Sequence, residues 1–194
     1  MSYYFDWLSQ IKYDYNGFVN GTFSWDTLRG DGGNELLLGY SGNDLMYGGG
    51  GDDLMYGGGG SDFLAGNRGD DFMIGGNGKD ILGGVFGNNI MEGGNGKDTF
   101  IFDTRQWKVE KGGEEFSSTI VDFEPKLDTI ALYGVGRTAY NVEQDGDDVV
   151  IETFWGNEIA VVLDAYAEDV CDAIDETPDT WAGYQESVNP FEFA

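Results

Sequence analysis

From Gly30 to Ile101 the chain repeats itself every nine residues, eight times in succession. The copies begin at Gly30, Gly39, Gly48, Gly57, Gly66, Gly75, Gly84 and Gly93, and the fourth position is again glycine throughout: Gly33, Gly42, Gly51, Gly60, Gly69, Gly78, Gly87 and Gly96. The sixth position reads Glu35, Asp44, Asp53, Asp62, Asp71, Asp80, Asn89 and Asp98. The eighth reads Leu37, Met46, Met55, Leu64, Met73, Leu82, Met91 and Phe100. Self-similarity at a fixed period outranks local propensity as a guide to fold. This stretch holds 24 of the 33 glycines, but a flexible linker does not keep a carboxylate and a large apolar residue in phase for eight periods.

Glycine at two fixed positions calls for a tight turn, and the residues after it, such as Phe63-Leu64-Ala65, suit a short strand. One such unit buries nothing alone. Two make a coil of a flattened helix, and successive coils stack as parallel strands, so copies n and n+2 become neighbours. The sixth-position side chains then form two ladders, one per edge, with rungs about 4.8 Å apart. Unit charges that close repel by roughly 1 kcal/mol in water and by several in a less polar setting. The ladder therefore needs cations. With only hard oxygen ligands, and a flexible glycine cage rich in carbonyls, calcium fits better than magnesium or a transition metal.

The array, clearest in GGNGKDILG at 75–83 and GGNGKDTFI at 93–101, resembles the RTX family of haemolysin-type calcium-binding repeats. The resemblance implies an all-β fold: a right-handed parallel β-roll, or calcium-binding solenoid. It also implies calcium between turns n and n+2, held by the sixth-position side chains and by turn carbonyls. Carried over, the side-chain pairs are Glu35/Asp53, Asp44/Asp62, Asp53/Asp71, Asp62/Asp80, Asp71/Asn89 and Asp80/Asp98, about six sites. The carbonyls include those of Gly39, Gly48, Gly57, Gly66 and Gly75 at first positions, and of Gly42, Gly51, Gly60, Gly69, Gly78 and Gly96 at fourth positions. Glu35 and Asn89 depart from the pattern.

Charge and composition narrow the rest. The 194 residues carry a net charge of −26, which repels nucleic-acid phosphates and attracts cations. Absence of histidine excludes a Ser-His-Asp triad, a Cys-His dyad and an H-E-x-x-H zinc site. The single cysteine, Cys171, cannot form an intramolecular disulfide. No apolar run approaches the ~20 residues of a membrane span, and the start of the sequence does not read as an export leader. The expectation is a protein without enzymatic activity.

Four regions are expected: an aromatic cap at 1–29, the β-roll at 30–101, a β-rich closing region at 102–175 and a tail at 176–194. The first holds Tyr3, Tyr4, Phe5, Trp7, Tyr13, Tyr15, Phe18, Phe23 and Trp25, suited to covering a solenoid end or, for Trp7 and Trp25, to stacking on a sugar. The run from Ser118 to Leu132 resembles the segment that closes RTX β-rolls, with Asp122 and Asp128 as additional candidate calcium ligands. Antiparallel strands are expected around Asp145–Asp148 and Gly156-Asn157, then a short helix over 164–175. The terminal Phe191-Glu192-Phe193-Ala194 resembles the signal read by type I secretion machinery, which implies a secreted or cell-surface protein. Seventh positions are apolar in all copies but the last (Leu36, Leu45, Leu54, Phe63, Phe72, Ile81, Ile90, then Thr99). Strand alternation turns them outward, where apolar stripes invite self-association. Polysaccharide binding is the alternative function.

Overall fold

The computed structural model describes residues 17–103, 117–133, 140–153 and 158–175. The described residues form two sheets of stacked strands. One contains, in spatial order, β1 (Gly17–Asn20), β3 (Glu35–Leu38), β5 (Leu54–Gly59), β7 (Phe72–Gly78), β9 (Ile90–Gly96), β11 (Ser118–Ile120), β15 (Glu158–Val162), β14 (Asp148–Thr153) and β13 (Tyr140–Asp145). The other runs β16 (Ile174–Asp175), β12 (Thr129–Tyr133), β10 (Thr99–Asp103), β8 (Ile81–Gly84), β6 (Phe63–Arg68), β4 (Leu45–Gly50) and β2 (Thr27–Arg29). Consecutive strands of the array therefore alternate between sheets.

The registers follow from the period. Leu36 pairs with Leu54, Leu54 with Phe72 and Phe72 with Ile90, while Leu45 pairs with Phe63 and Phe63 with Ile81. Each step is two repeats. The fixed phase therefore places like residues on like faces, and all eight eighth-position side chains are fully buried between the sheets. Each contributes about 1.5–3 kcal/mol through removal from water. Phe102, Ile120, Phe123, Ile130 and Leu132 prolong the same core beyond the array.

Stacking starts before Gly30 and continues past Ile101. β1 pairs with β3 and β2 with β4, in parallel. β11 pairs with β9, and β12 with β10, so Ser118–Tyr133 continues the solenoid. The sheet order then closes with the antiparallel strands β14 and β13, whose hairpin turns at Gly146-Asp147. Helix α1 spans Ala167–Ala173, shorter than the sequence suggests. Asp164 has φ of 51°, which a helix cannot contain, and Ile174–Asp175 leaves the helix to pair with β12.

The outer faces differ from expectation. Phe63 and Phe72 are buried and the other seventh-position side chains are half-buried, rather than forming open stripes. On one sheet Tyr47, Phe63 and Ala65 cluster with Leu45 and Ile81, and the Tyr47 and Phe63 rings lie 6.0 Å apart. Rungs about 4.8 Å apart let large side chains cover one another along the stack. Phe18, Phe23 and Trp25 are exposed. Residues 1–16 of the region assigned to the aromatic cap, the Gly156-Asn157 turn and the tail from Glu176 lie outside the described residues.

Candidate cation-binding turns

The turns between strands line the two long edges of the roll, and the sixth-position carboxylates all point into them. One oxygen of each aspartate is committed to the backbone. On one edge the amides of Asp26, Asp44, Asp62, Asp80 and Asp98 donate to Oδ1 of Asp44, Asp62, Asp80, Asp98 and Asp128, at 2.8–2.9 Å. On the other, the amides of Glu35, Asp53 and Asp71 donate to Oδ1 of Asp53, Asp71 and Asn89, at 2.8–3.0 Å. These bonds tie each turn to the next and aim the second oxygen back into its own turn.

That second oxygen is left without a partner. Oδ2 of Asp44, Asp53, Asp62, Asp71, Asp80 and Asp98 is buried and accepts no hydrogen bond. A buried acceptor with no partner costs about 1–3 kcal/mol, and more if charged. Six in phase, one for each sixth-position aspartate of the array, mark a missing positive partner rather than a packing fault.

The surroundings fit a hard cation. A Cβ placed on Gly57 would lie 2.5 Å from Asp62 Oδ2 and 2.7 Å from the Gly75 carbonyl oxygen; on Gly75 the equivalents are Asp80 Oδ2 at 2.6 Å and the Gly93 oxygen at 2.7 Å. Gly39 stands in the same relation to Asp44 Oδ2 and the Gly57 oxygen. At Gly39, Gly48, Gly57 and Gly75 the first glycine thus keeps open a cradle made of its own repeat's carboxylate and a carbonyl of the neighbouring turn. The fourth glycine serves the backbone instead. Gly60 has φ of 133° and its Cα faces the Gly42 carbonyl, where a side chain would meet both strain and collision. Among the described residues no three acidic, histidine or cysteine side chains converge as a ligand cluster. Such a cradle, rich in carbonyls and poor in carboxylates, suits calcium's six to eight oxygen ligands.

Without a cation, burial dominates the electrostatics. It pushes Asp71 up to about 8, Asp53 and Asp80 to about 7 and Asp62 to about 6, assisted by neighbouring carboxylates and opposed by the backbone hydrogen bonds. Asp44 and Asp98 move the same way for the same leading reason.

The remaining sequence-predicted ligands behave differently. Glu35, one methylene longer, folds back so that Oε2 accepts from the Asp31 amide at 3.1 Å. Asp122 accepts from the amides of Gly93 and Gly94 at 2.9 and 2.7 Å. Asp128 continues the Oδ1 ladder but spends Oδ2 on the Glu124 amide at 2.8 Å. The Asn89 side-chain nitrogen faces carbonyls of its own turn.

One participant is hidden in the sequence. Residues 21–29, GTFSWDTLR, form a degenerate repeat with Gly21, Asp26 and Leu28 at the first, sixth and eighth positions. Leu28 pairs with Met46 and is buried, and the Asp26 amide opens one ladder. Ser24 at the fourth position hides it, although Gly21, Asp26 and Leu28 are in phase. Asp26 Oδ2 is already satisfied by the amide and hydroxyl of Thr22, at 2.6 and 2.7 Å.

The RTX calcium-binding nonapeptide repeat model matches four times, over residues 20–55, 29–64, 56–91 and 84–103. Residues 20–103 are RTX calcium-binding repeats. The first match takes in the degenerate repeat. Among solved structures, the RTX array and its flanks are similar to an extracellular lipase from Serratia marcescens, at 15% identity and a TM-score of 0.36, covering 88% of this chain and 42% of the lipase. They are also similar to a subunit of the mannuronan C5-epimerase from Azotobacter vinelandii, at 24% identity and a TM-score of 0.32, covering 80% of each chain. The chain thus spans less than half the length of the lipase. No curated protein sequence matches it.

Proposed function

We propose that this protein is a calcium-gated module without catalytic activity, whose RTX β-roll folds when it meets extracellular calcium. The six partnerless Oδ2 atoms carry the reading. In this reading each turn ending in Asp44, Asp53, Asp62, Asp71, Asp80 and Asp98 takes one cation, with carbonyls of the same and the following turn completing each shell. Relative to the pairs taken from the family pattern, the Glu35 turn drops out and the Asp98 turn, facing Asp122, enters. Calcium, when bound, supplies the charge that lets the carboxylates remain ionised at close spacing.

In its absence, buried carboxylates and the backbone entropy of 24 array glycines oppose the fold together. Metal-binding energy then becomes folding energy. Extracellular calcium modules bind at ~10⁻⁴–10⁻³ M, which sets an unfolded chain where calcium is scarce and a folded one outside the cell. An unfolded chain suits passage through type I secretion machinery, and the tail at 176–194 is the candidate signal. Fusing that tail to a reporter beside a type I exporter tests the route: the reporter reaches the medium if the tail is a signal and stays in the cell if it is not.

Polysaccharide binding is the second reading, favoured by the exposed Phe18, Phe23, Trp25 and Tyr40 near the first coils. Glycan-array binding in calcium that is lost in W25A supports it. Concentration-dependent assembly without glycan binding supports a surface-assembly role instead.

A further inference from the structure

The seventh repeat breaks the pattern at the atom that matters most. Its sixth residue, Asn89, is buried and accepts from the Asp71 amide through Oδ1 at 3.0 Å, as the aspartates do in their ladders. That bond fixes the amide's orientation, because an N–H must face an acceptor. The other arm, Nδ2, therefore lies where every sixth-position aspartate of the array places its partnerless Oδ2. Its position over the first glycine of the repeat, Gly84, repeats the relation of Asp62 Oδ2 to Gly57.

Nδ2 is a donor, and it is surrounded by acceptors. The Phe86 and Gly87 carbonyls and the Ser118 hydroxyl lie at 3.4, 3.3 and 3.4 Å. Phe86 and Gly87 occupy the third and fourth positions of the turn, and Ser118 stands one rung further along the same edge, before Thr119 pairs with Ile90. We infer that the Asn89 side-chain amide takes the place of a calcium ion, closing the seventh turn without metal and joining the array to the strand after it. The turn is closed in other ways too. Val85 is buried at the second position, and the Arg68 guanidinium stands 5.3 Å from the Phe86 ring centre.

The consequence is an asymmetric roll. The edge with Asp44, Asp62, Asp80 and Asp98 takes four cations, whereas the edge with Asp53 and Asp71 takes two and ends in the neutral pair Asn89 and Ser118. This assignment rests on the calcium reading above and adds a statement about a single rung. Native mass spectrometry of the full chain in calcium counts the ions held by the wild type, N89D and D71N. N89D exchanges a donor for a carboxylate oxygen facing the same two carbonyls and is expected to hold one more ion than the wild type. D71N copies the Asn89 arrangement one rung earlier and is expected to hold one fewer while keeping its β-structure. An N89D chain that holds the wild-type number, or that cannot fold at any calcium concentration, overturns the inference, as does a D71N chain with an undiminished count. A wild type that binds no calcium overturns the reading beneath it instead.

Discussion

Gly57 and Gly59 lie in the same turn, and replacing each by alanine should have opposite effects. At Gly57 the new methyl group would sit 2.5 Å from Asp62 Oδ2, 2.7 Å from the Gly75 carbonyl oxygen and 3.0 Å from Asp62 Cβ, inside the cradle. At Gly59 the nearest atom is the Tyr40 carbonyl oxygen at 4.0 Å. G57A therefore loses one cation, worth about 2.7 kcal/mol at a hundredfold excess over Kd, together with about 1–3 kcal/mol of overpacking. G59A costs nothing sterically and gains about 0.4–1 kcal/mol through a less flexible unfolded chain. Chemical denaturation at a series of calcium concentrations, from saturation down to the folding midpoint, separates the contributions. The calcium-dependent part of the G57A loss should shrink as calcium is lowered towards that midpoint, while G59A stays at or slightly above wild type throughout. Equal stability and equal calcium stoichiometry in G57A and G59A would refute the placement of the cation over the first glycine.

M73A removes a fully buried side chain from the middle of the stack and should cost about 2–5 kcal/mol by denaturation in calcium; a loss below about 1 kcal/mol would contradict the core assignment. G60A meets the Gly42 carbonyl at a positive φ, so its thermal unfolding temperature should fall by a similar amount at every calcium concentration that folds the chain, unlike that of G57A. For pH, Asp53, Asp62, Asp71 and Asp80 sit at about 6–8 in the metal-free fold against an ordinary 3.8. The folded chain then binds more protons than the unfolded one, so metal-free stability is greatest in acid and is lost as pH rises through about 6–8. Circular dichroism in chelator should show more β-structure at about pH 5 than at about pH 8; the reverse order would refute it.

The strict phase of Gly, Asp and a large apolar residue made the stack legible, because a period of nine leaves little choice of register once two repeats make a coil. The same phase marks the six aspartates whose buried Oδ2 atoms lack partners. Legibility failed where chemistry replaced the consensus residue. Asp26 was obscured by Ser24, and its own Thr22 satisfies the carboxylate, a local contact that spacing does not reveal. Glu35 and Asn89 stood out as deviations, but whether each turn is open or closed depends on one methylene and one donor atom, both decided by three-dimensional placement. Helix α1 was displaced by a tertiary contact, the pairing of Ile174–Asp175 with β12. Alternation specifies a face and not what stacks along it, so burial of Phe63 and Phe72 at outward positions is not legible from the period.

Calcium titration followed by far-ultraviolet circular dichroism tests the central claim most directly. The account predicts a cooperative gain of β-structure as calcium rises through ~10⁻⁴–10⁻³ M, reversed by chelator. A spectrum that is the same in chelator and in saturating calcium would contradict it.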